Sequence, residues 1–249
     1  MIYIQSTSDR YRAHHFDAAC AMFGAIETAQ EYRLTSFEEV ESGKFDGLIK
    51  TNLFVGSVEF MREVFKRVGK TPSIINSDRN HIRVPMSYVR DGVINGGVSY
   101  FVKPFEQKLF SGLVVDKYSL SSLSQFSDDL EVMVYGVLPK ILSEWRVYVM
   151  HNKIEDIRNY GGDFMIFPDP EFIKSKIKEL RDRLPHTFVM DVGICVNDDI
   201  HIYNNNERHY FHKNVIIEFN DMYAIGNYGV PNDLYICMLK ERYFEIIRS

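Results

Sequence analysis

The rhythm of apolar and polar positions changes near residue 80. Before that point short apolar runs alternate with stretches of helical spacing. Met1 to Ile4 is rich in strand formers, and Arg10 to Ala25 places Ala, Phe, Cys and Met on one helical face. Tyr32 to Leu34, Asp46 to Lys50 and Pro72 to Ile75 read as further strands, and Gly56 to Arg67 as an amphipathic helix capped by Ser57. This alternation predicts a small α/β layer with parallel strands over residues 1–80, with a boundary between Asn76 and Arg83.

After Tyr100 the β-rich runs follow one another closely: Tyr100 to Lys103, Leu113 to Val115, Glu131 to Tyr135, Trp145 to Met150 and Lys153 to Asn159. Such spacing predicts an antiparallel α+β arrangement over residues 81–249. Asp169 to Arg183 has helical spacing after a Pro-Asp-Pro start. Strands are expected again at Thr187 to Val196, Ile200 to Tyr203 and Asn214 to Asn220, with Asn197 to Asp199 as a hairpin turn and Asp233 to Ile247 as a closing helix.

Composition narrows the class. With 249 residues, 45% hydrophobic and 25% charged, the chain can bury a core without metals or disulfides. A formal charge of -5 argues against nonspecific nucleic-acid binding. Cys20, Cys195 and Cys237 lack the spacing of a disulfide framework or zinc site, which suits a reducing cytoplasm. No apolar run approaches the ~20 residues of a membrane span, and the N-terminus turns polar too early for a secretion signal. The common P-loop, dinucleotide-binding, zinc-protease and serine-hydrolase motifs are absent.

Four groups of residues could carry chemistry. Lys44-Phe-Asp-Gly47 matches KxDG, the nucleophile motif of covalent nucleotidyltransferases, but Asp-Gly is also an ordinary turn. Lys103 ends an apolar strand before Pro104, and Lys108 follows in a loop closing on Ser111-Gly112. Two such lysines can flank one anion, or simply be surface cations. Glu144 and Arg146 share a strand face, and Arg158 with Tyr160 extends the polar surface on what reads as the neighbouring strand. They are either a solvated pair or a carboxylate for ribose and a guanidinium for phosphate. Asp191 interrupts an apolar strand, while Glu218 and Asn220 lie two apart on theirs. Three oxygen ligands of this kind suit Mg2+, the alternative being polar residues at a sheet edge.

In this order the pieces resemble the ATP-grasp superfamily, particularly its compact clade common in phage and bacterial genomes. The resemblance runs from Tyr100 to Tyr243 and includes Ala224-Ile-Gly-Asn-Tyr-Gly229. The segment Val55 to Phe60 also looks like that clade's lead-in domain.

It implies two α+β subdomains sandwiching ATP, preceded by a small α/β pre-ATP-grasp domain. Carried over residue by residue, Lys103 and Lys108 contact phosphates, and Asp191, Glu218 and Asn220 bind Mg2+. Backbone near Val134 and Tyr135 reads the base, and Glu144 holds ribose. Arg146 and Arg158 act on the acyl phosphate or the acceptor. The implied reaction joins a small-molecule or peptide carboxylate to an amine, through an acyl phosphate, with release of ADP and phosphate. A Lys44 nucleotidyltransferase and a noncatalytic nucleotide-binding module are the alternative readings.

Overall fold

The computed structural model describes residues 1–6, 17–75, 77–105, 109–204 and 207–249, with side chains for all of these except 197–204 and 207–211. They form two compact units. One comprises Met1–Ser77, Leu142–Ile194 and Asn214–Ser249, and the other Asp78–Ile141 and Cys195–Lys213.

The chain opens with β1 (Ile2–Gln5), α1 (Ala18–Glu27), β2 (Tyr32–Thr35), α2 (Phe37–Glu41), β3 (Leu53–Val55) and α3 (Val58–Lys66). The three strands pair in parallel in the order β2-β1-β3, the layer that the alternation predicts. Ser57 caps α3 by accepting from Phe60 N, and its own buried N–H donates to Gln5 Oε1 at 2.7 Å, tying the end of β1 to the start of that helix. Two expected strands are absent. Residues 42–51 are turns, with Ile49 N donating to Phe45 O, so Phe45 and Ile49 are buried four residues apart where a strand would have separated their faces. Pro72 to Ile75 is irregular, and Ile74 and Ile75 pack against a core cluster without joining a sheet.

The next stretch forms β4 (His81–Pro85), α4 (Met86–Gly96), β5 (Tyr100–Pro104), β6 (Leu113–Val115) and β7 (Glu131–Tyr135). Its strands lie antiparallel in the order β4-β7-β5-β6. Met86, Val89 and Val93 of α4 meet Val102, Val115, Val132 and Val134 of the sheet, the pattern expected of an amphipathic helix on a half-buried sheet.

The remaining elements are β8 (Ile141–Met150), β9 (Lys153–Gly162), α5 (Pro170–Leu180), β10 (Thr187–Asn204), β11 (Glu207–Asp221) and α6 (Asn232–Arg248). The strand order is β11-β10-β8-β9. Asp169 caps α5, as its Pro-Asp-Pro start predicts. No hairpin turn occurs at Asn197 to Asp199, because β10 continues through them to Asn204. Strict alternation gives this sheet two roles. Val147, Val149, Met190 and Val192 pack with Ile173, Ile177 and Leu180 of α5, whereas Tyr148 and Val189 join a second core. That core also holds β1, β3, α1, α3 and the buried face of α6, so the first and last segments share one interior. Among the described residues no helix is long and apolar enough to cross a membrane.

The tightest joint is between α1 and α6, where a Cβ on Gly24 would lie 2.2 Å from Asn232 O and 3.0 Å from Ile236 Cβ. Gly24→Ala is expected to destabilise the protein by about 1–3 kcal/mol through overpacking, despite the alanine's better helix propensity. Gly47→Ala, which meets nothing within 4 Å, should be close to neutral. Urea unfolding of both variants checks the contrast.

Candidate active site

The sequence-predicted residues fall into two sets, one in each unit. In the first unit, β8 carries Arg146 and the adjacent β10 carries Asp191, both almost wholly buried. They form a bidentate pair, with Arg146 Nε donating to Asp191 Oδ1 at 2.8 Å and Nη2 to Oδ2 at 2.7 Å. Burial opposes the charge on Arg146, but the two parallel bonds more than offset it and hold the guanidinium ionised beyond its ordinary range. Burial pushes the Asp191 carboxyl up, while Arg146 pulls it down. Arg146 Nη1 is buried and finds no hydrogen-bond partner among the described residues.

Asn220 on β11 joins Glu218 to this pair. Its Nδ2 donates to Glu218 Oε1 at 3.0 Å and to Asp191 Oδ2 at 3.3 Å. An N–H turned between two carboxylates occupies the position where a cation would be neutralised, and rotating the amide would present its oxygen instead. The two carboxylates and one amide thus fit a hard divalent ion. No cluster of three His, Cys, Asp or Glu side chains capable of holding a metal occurs among the described residues, so any site here needs the amide.

Above the guanidinium lie two aromatic rings. Arg146 Cζ sits 4.2 Å from the Tyr228 ring centroid and 5.7 Å from that of Tyr160, and the two tyrosines meet edge to face at 5.5 Å. Tyr160 OH bonds Glu144 Oε2 at 3.1 Å, so Glu144 and Arg146 do share this face. Burial pushes the Tyr160 phenol up, keeping it a neutral donor. Tyr228 has a positive φ of 51°, and its loop is pinned where Tyr148 OH donates to Asn227 O. The role of Tyr228 is not visible in the sequence, where Gly-Asn-Tyr-Gly reads only as a turn. Arg158 lies directly opposite Arg146 in the β8–β9 ladder and pairs with Asp156 Oδ2 at 2.6 Å, so each cation has its own carboxylate.

In the second unit, Lys103 on β5 lies opposite Met133, with its Nζ 5.7 Å from the Phe101 ring. Gly112 packs beside it, since an added Cβ would lie 2.6 Å from Phe101 Cζ and 2.9 Å from Lys103 Cγ. Val134 and Tyr135 are flanked on both sides by β4 and β5, which leaves the backbone beyond Tyr135 as the stretch outside strand pairing. Lys108 lies outside the described residues.

Lys44 follows α2 at the surface of the first unit and ion-pairs with Glu39. Glu39 closes the α2 capping box with Ser36 and also accepts from Thr35 Oγ1. Asp46, the acid of KxDG, is held by Arg67.

Residues 77–238 match the sequence pattern of an ATP-grasp domain, the second family of its clade. The chain belongs to this ATP-grasp family. Solved structures sharing the ATP-grasp fold include a RimK domain protein from Sphaerobacter thermophilus DSM 20745, with TM-score 0.52 and 11% identity over 100% of this chain and 98% of that one. Another is D-alanine--D-alanine ligase from Bacillus anthracis complexed with ATP, with TM-score 0.52 and 13% identity over 99% and 98%. The ligase PsnB with minimal precursor, Mg and ADP gives TM-score 0.50 and 9% identity over 97% and 96%. Identities this low establish a shared fold alone. No protein of curated function matches the sequence.

Two outcomes are expected. Asp191→Ala should cost about 3–5 kcal/mol in chemical unfolding, because it strands a buried guanidinium, whereas Arg146→Met with Asp191→Leu should recover much of that loss. Lys44 holds the Glu39 carboxyl at about 2 against an ordinary 4.5, chiefly through their hydrogen bond. A depressed acid stabilises the fold above its ordinary range and loses that contribution as pH falls toward 2. Lys44→Ala should raise the Glu39 midpoint in an NMR titration and weaken this acid-side dependence.

Proposed function

We propose that this ATP-grasp protein is an ATP-dependent carboxylate–amine ligase that forms an amide through an acyl phosphate and releases ADP and phosphate. The observation carrying the reading is the buried Arg146–Asp191 pair, joined through Asn220 to Glu218 and keeping Nη1 of Arg146 unused. A buried donor without a partner is costly, and an anionic oxygen arriving from a ligand satisfies it. Residues 1–80 then serve as the lead-in domain and 81–249 as the ATP-grasp domain.

In this reading Asp191, Glu218 and Asn220 hold Mg2+, which supplies positive charge at the terminal phosphates when bound. Lys103 contacts the phosphates, with Gly112 keeping room beside its stem, and Lys108 adds a second contact. Glu144 takes the ribose hydroxyls, and backbone around or just after Val134 and Tyr135 reads the base. The substrate carboxylate attacks the γ-phosphorus, and the bond to the β-phosphate oxygen breaks to release ADP. Arg146 and Arg158 face the acyl phosphate, from which the amine displaces inorganic phosphate. Arg146→Lys keeps the charge but loses the planar fork, so it should impair turnover.

ATP labelled in adenine and in the γ-phosphate tests the reaction type. With a panel of carboxylates and amines, ADP formation supports the ligase, AMP on Lys44 indicates a nucleotidyltransferase, and unchanged ATP a binding module. Hydroxylamine in place of the amine should trap the intermediate as a hydroxamate. Lys103→Ala should lower turnover by about 10²–10³-fold, the scale of a lost charged transition-state contact. Lys44→Ala should spare turnover, and Glu218→Gln should abolish its Mg2+ dependence while leaving the unfolding midpoint near wild type.

A further inference from the structure

Away from these residues, a cleft of about 480 Å3 lies between the tip of the β8–β9 hairpin and α5 in the first unit. Lys153 stands on the hairpin side, and Lys174, Lys178 and Arg181 on the helix side. All four are exposed, and no acidic residue lines the cleft. Ile154 and Ile177 supply its apolar part and belong to the core against which α5 packs. In a chain of net charge -5, gathering four cations around one concavity goes against the general surface bias.

Both walls are fixed before any ligand arrives. Lys174, Lys178 and Arg181 recur at intervals of four and three, so they form one stripe about 10 Å long along the helix. The hairpin turns through His151 and Asn152, both at positive φ, the two-residue turn whose twist matches the strands, and Met150 pairs directly with Lys153. Asn152 N bonds His186 O, fastening the tip to the body of the unit. Lys174 pairs with Glu171 at the rim, whereas Lys153, Lys178 and Arg181 have no ion-pair partner among the described residues.

We propose that this cleft is a docking site for an acidic peptide segment whose carboxylates meet the cationic stripe while an apolar side chain covers Ile154 and Ile177. The apolar lining decides between polyanions: a nucleic-acid backbone would use the cations but leave the isoleucines uncovered, and the net negative charge of the protein opposes it. The site does not rest on the ligase reading and needs neither ATP nor Mg2+.

The test is fluorescence anisotropy of the full chain with a labelled peptide of alternating glutamate and leucine. The comparison probes are a glutamate–serine peptide of equal length and an oligothymidylate of equal charge. The glutamate–leucine peptide should bind saturably and more tightly than either, and bind more weakly in 0.5 M salt. Lys153→Glu with Lys178→Glu should weaken it on the order of tenfold or more, two surface charge contacts being lost and reversed. Lys50→Glu with Lys240→Glu, the same charge change at other exposed positions, should leave binding unchanged. No saturable binding, equal loss in both double variants, equal binding of the glutamate–serine peptide, or tighter binding of the oligonucleotide would each overturn the proposal.

Discussion

A charged pair buried in a β-sheet constrains everything around it. Arg146 and Asp191 lie on neighbouring strands with almost no contact with water, and desolvating two ions costs more than their attraction alone returns unless the geometry is close to ideal. The bidentate bonds meet that condition. A well-packed apolar pair would serve stability at least as well, so the pair is better explained by what it presents than by what it holds together. It presents a permanently charged guanidinium, a spare donor, and a carboxylate that shares an amide with Glu218.

The sheet makes this possible because successive side chains take opposite faces. Val147, Met190 and Val192 bury one face under α5, which holds the strands in place. On the alternate positions, Tyr148 and Val189 belong to the other core, next in sequence period to Arg146 and Asp191. Core and charged set are therefore interleaved along the same strands, and the rigidity of one positions the other. The Tyr160 and Tyr228 rings then reduce the water reaching the guanidinium, at the expense of a left-handed backbone at Tyr228.

Where local pattern and tertiary demand agree, the elements were legible in the chain: β7 ends where its apolar run ends, and α3 and α5 begin at their capping residues. The first expected strand to fail, Asp46 to Lys50, is an apolar segment too short for its period to be read, and its burial is four residues apart rather than two. Asn197 to Asp199 carries turn residues but lies inside a long ladder, where pairing overrides their preference. Motif order pointed to Arg146, Asp191, Glu218 and Asn220 together, but not to the salt bridge, because partners 45 residues apart leave no spacing to detect. Tyr228 was hidden for the same reason.

The interior shared by β1, α1 and α6 bears on how the chain is made. The second unit is encoded between segments of the first, and roughly 170 residues separate the end of the opening segment from the end of α6. At about 5–20 residues per second, a ribosome takes on the order of 10–30 s to cover that distance. Throughout it, the parallel sheet and α1 lack the helix that buries Ile2, Phe54 and Ala25, and Gly24 has nothing to pack against. The opening segment thus spends its time on the ribosome as an apolar surface awaiting its cover, and its completion is tied to the synthesis of the last helix.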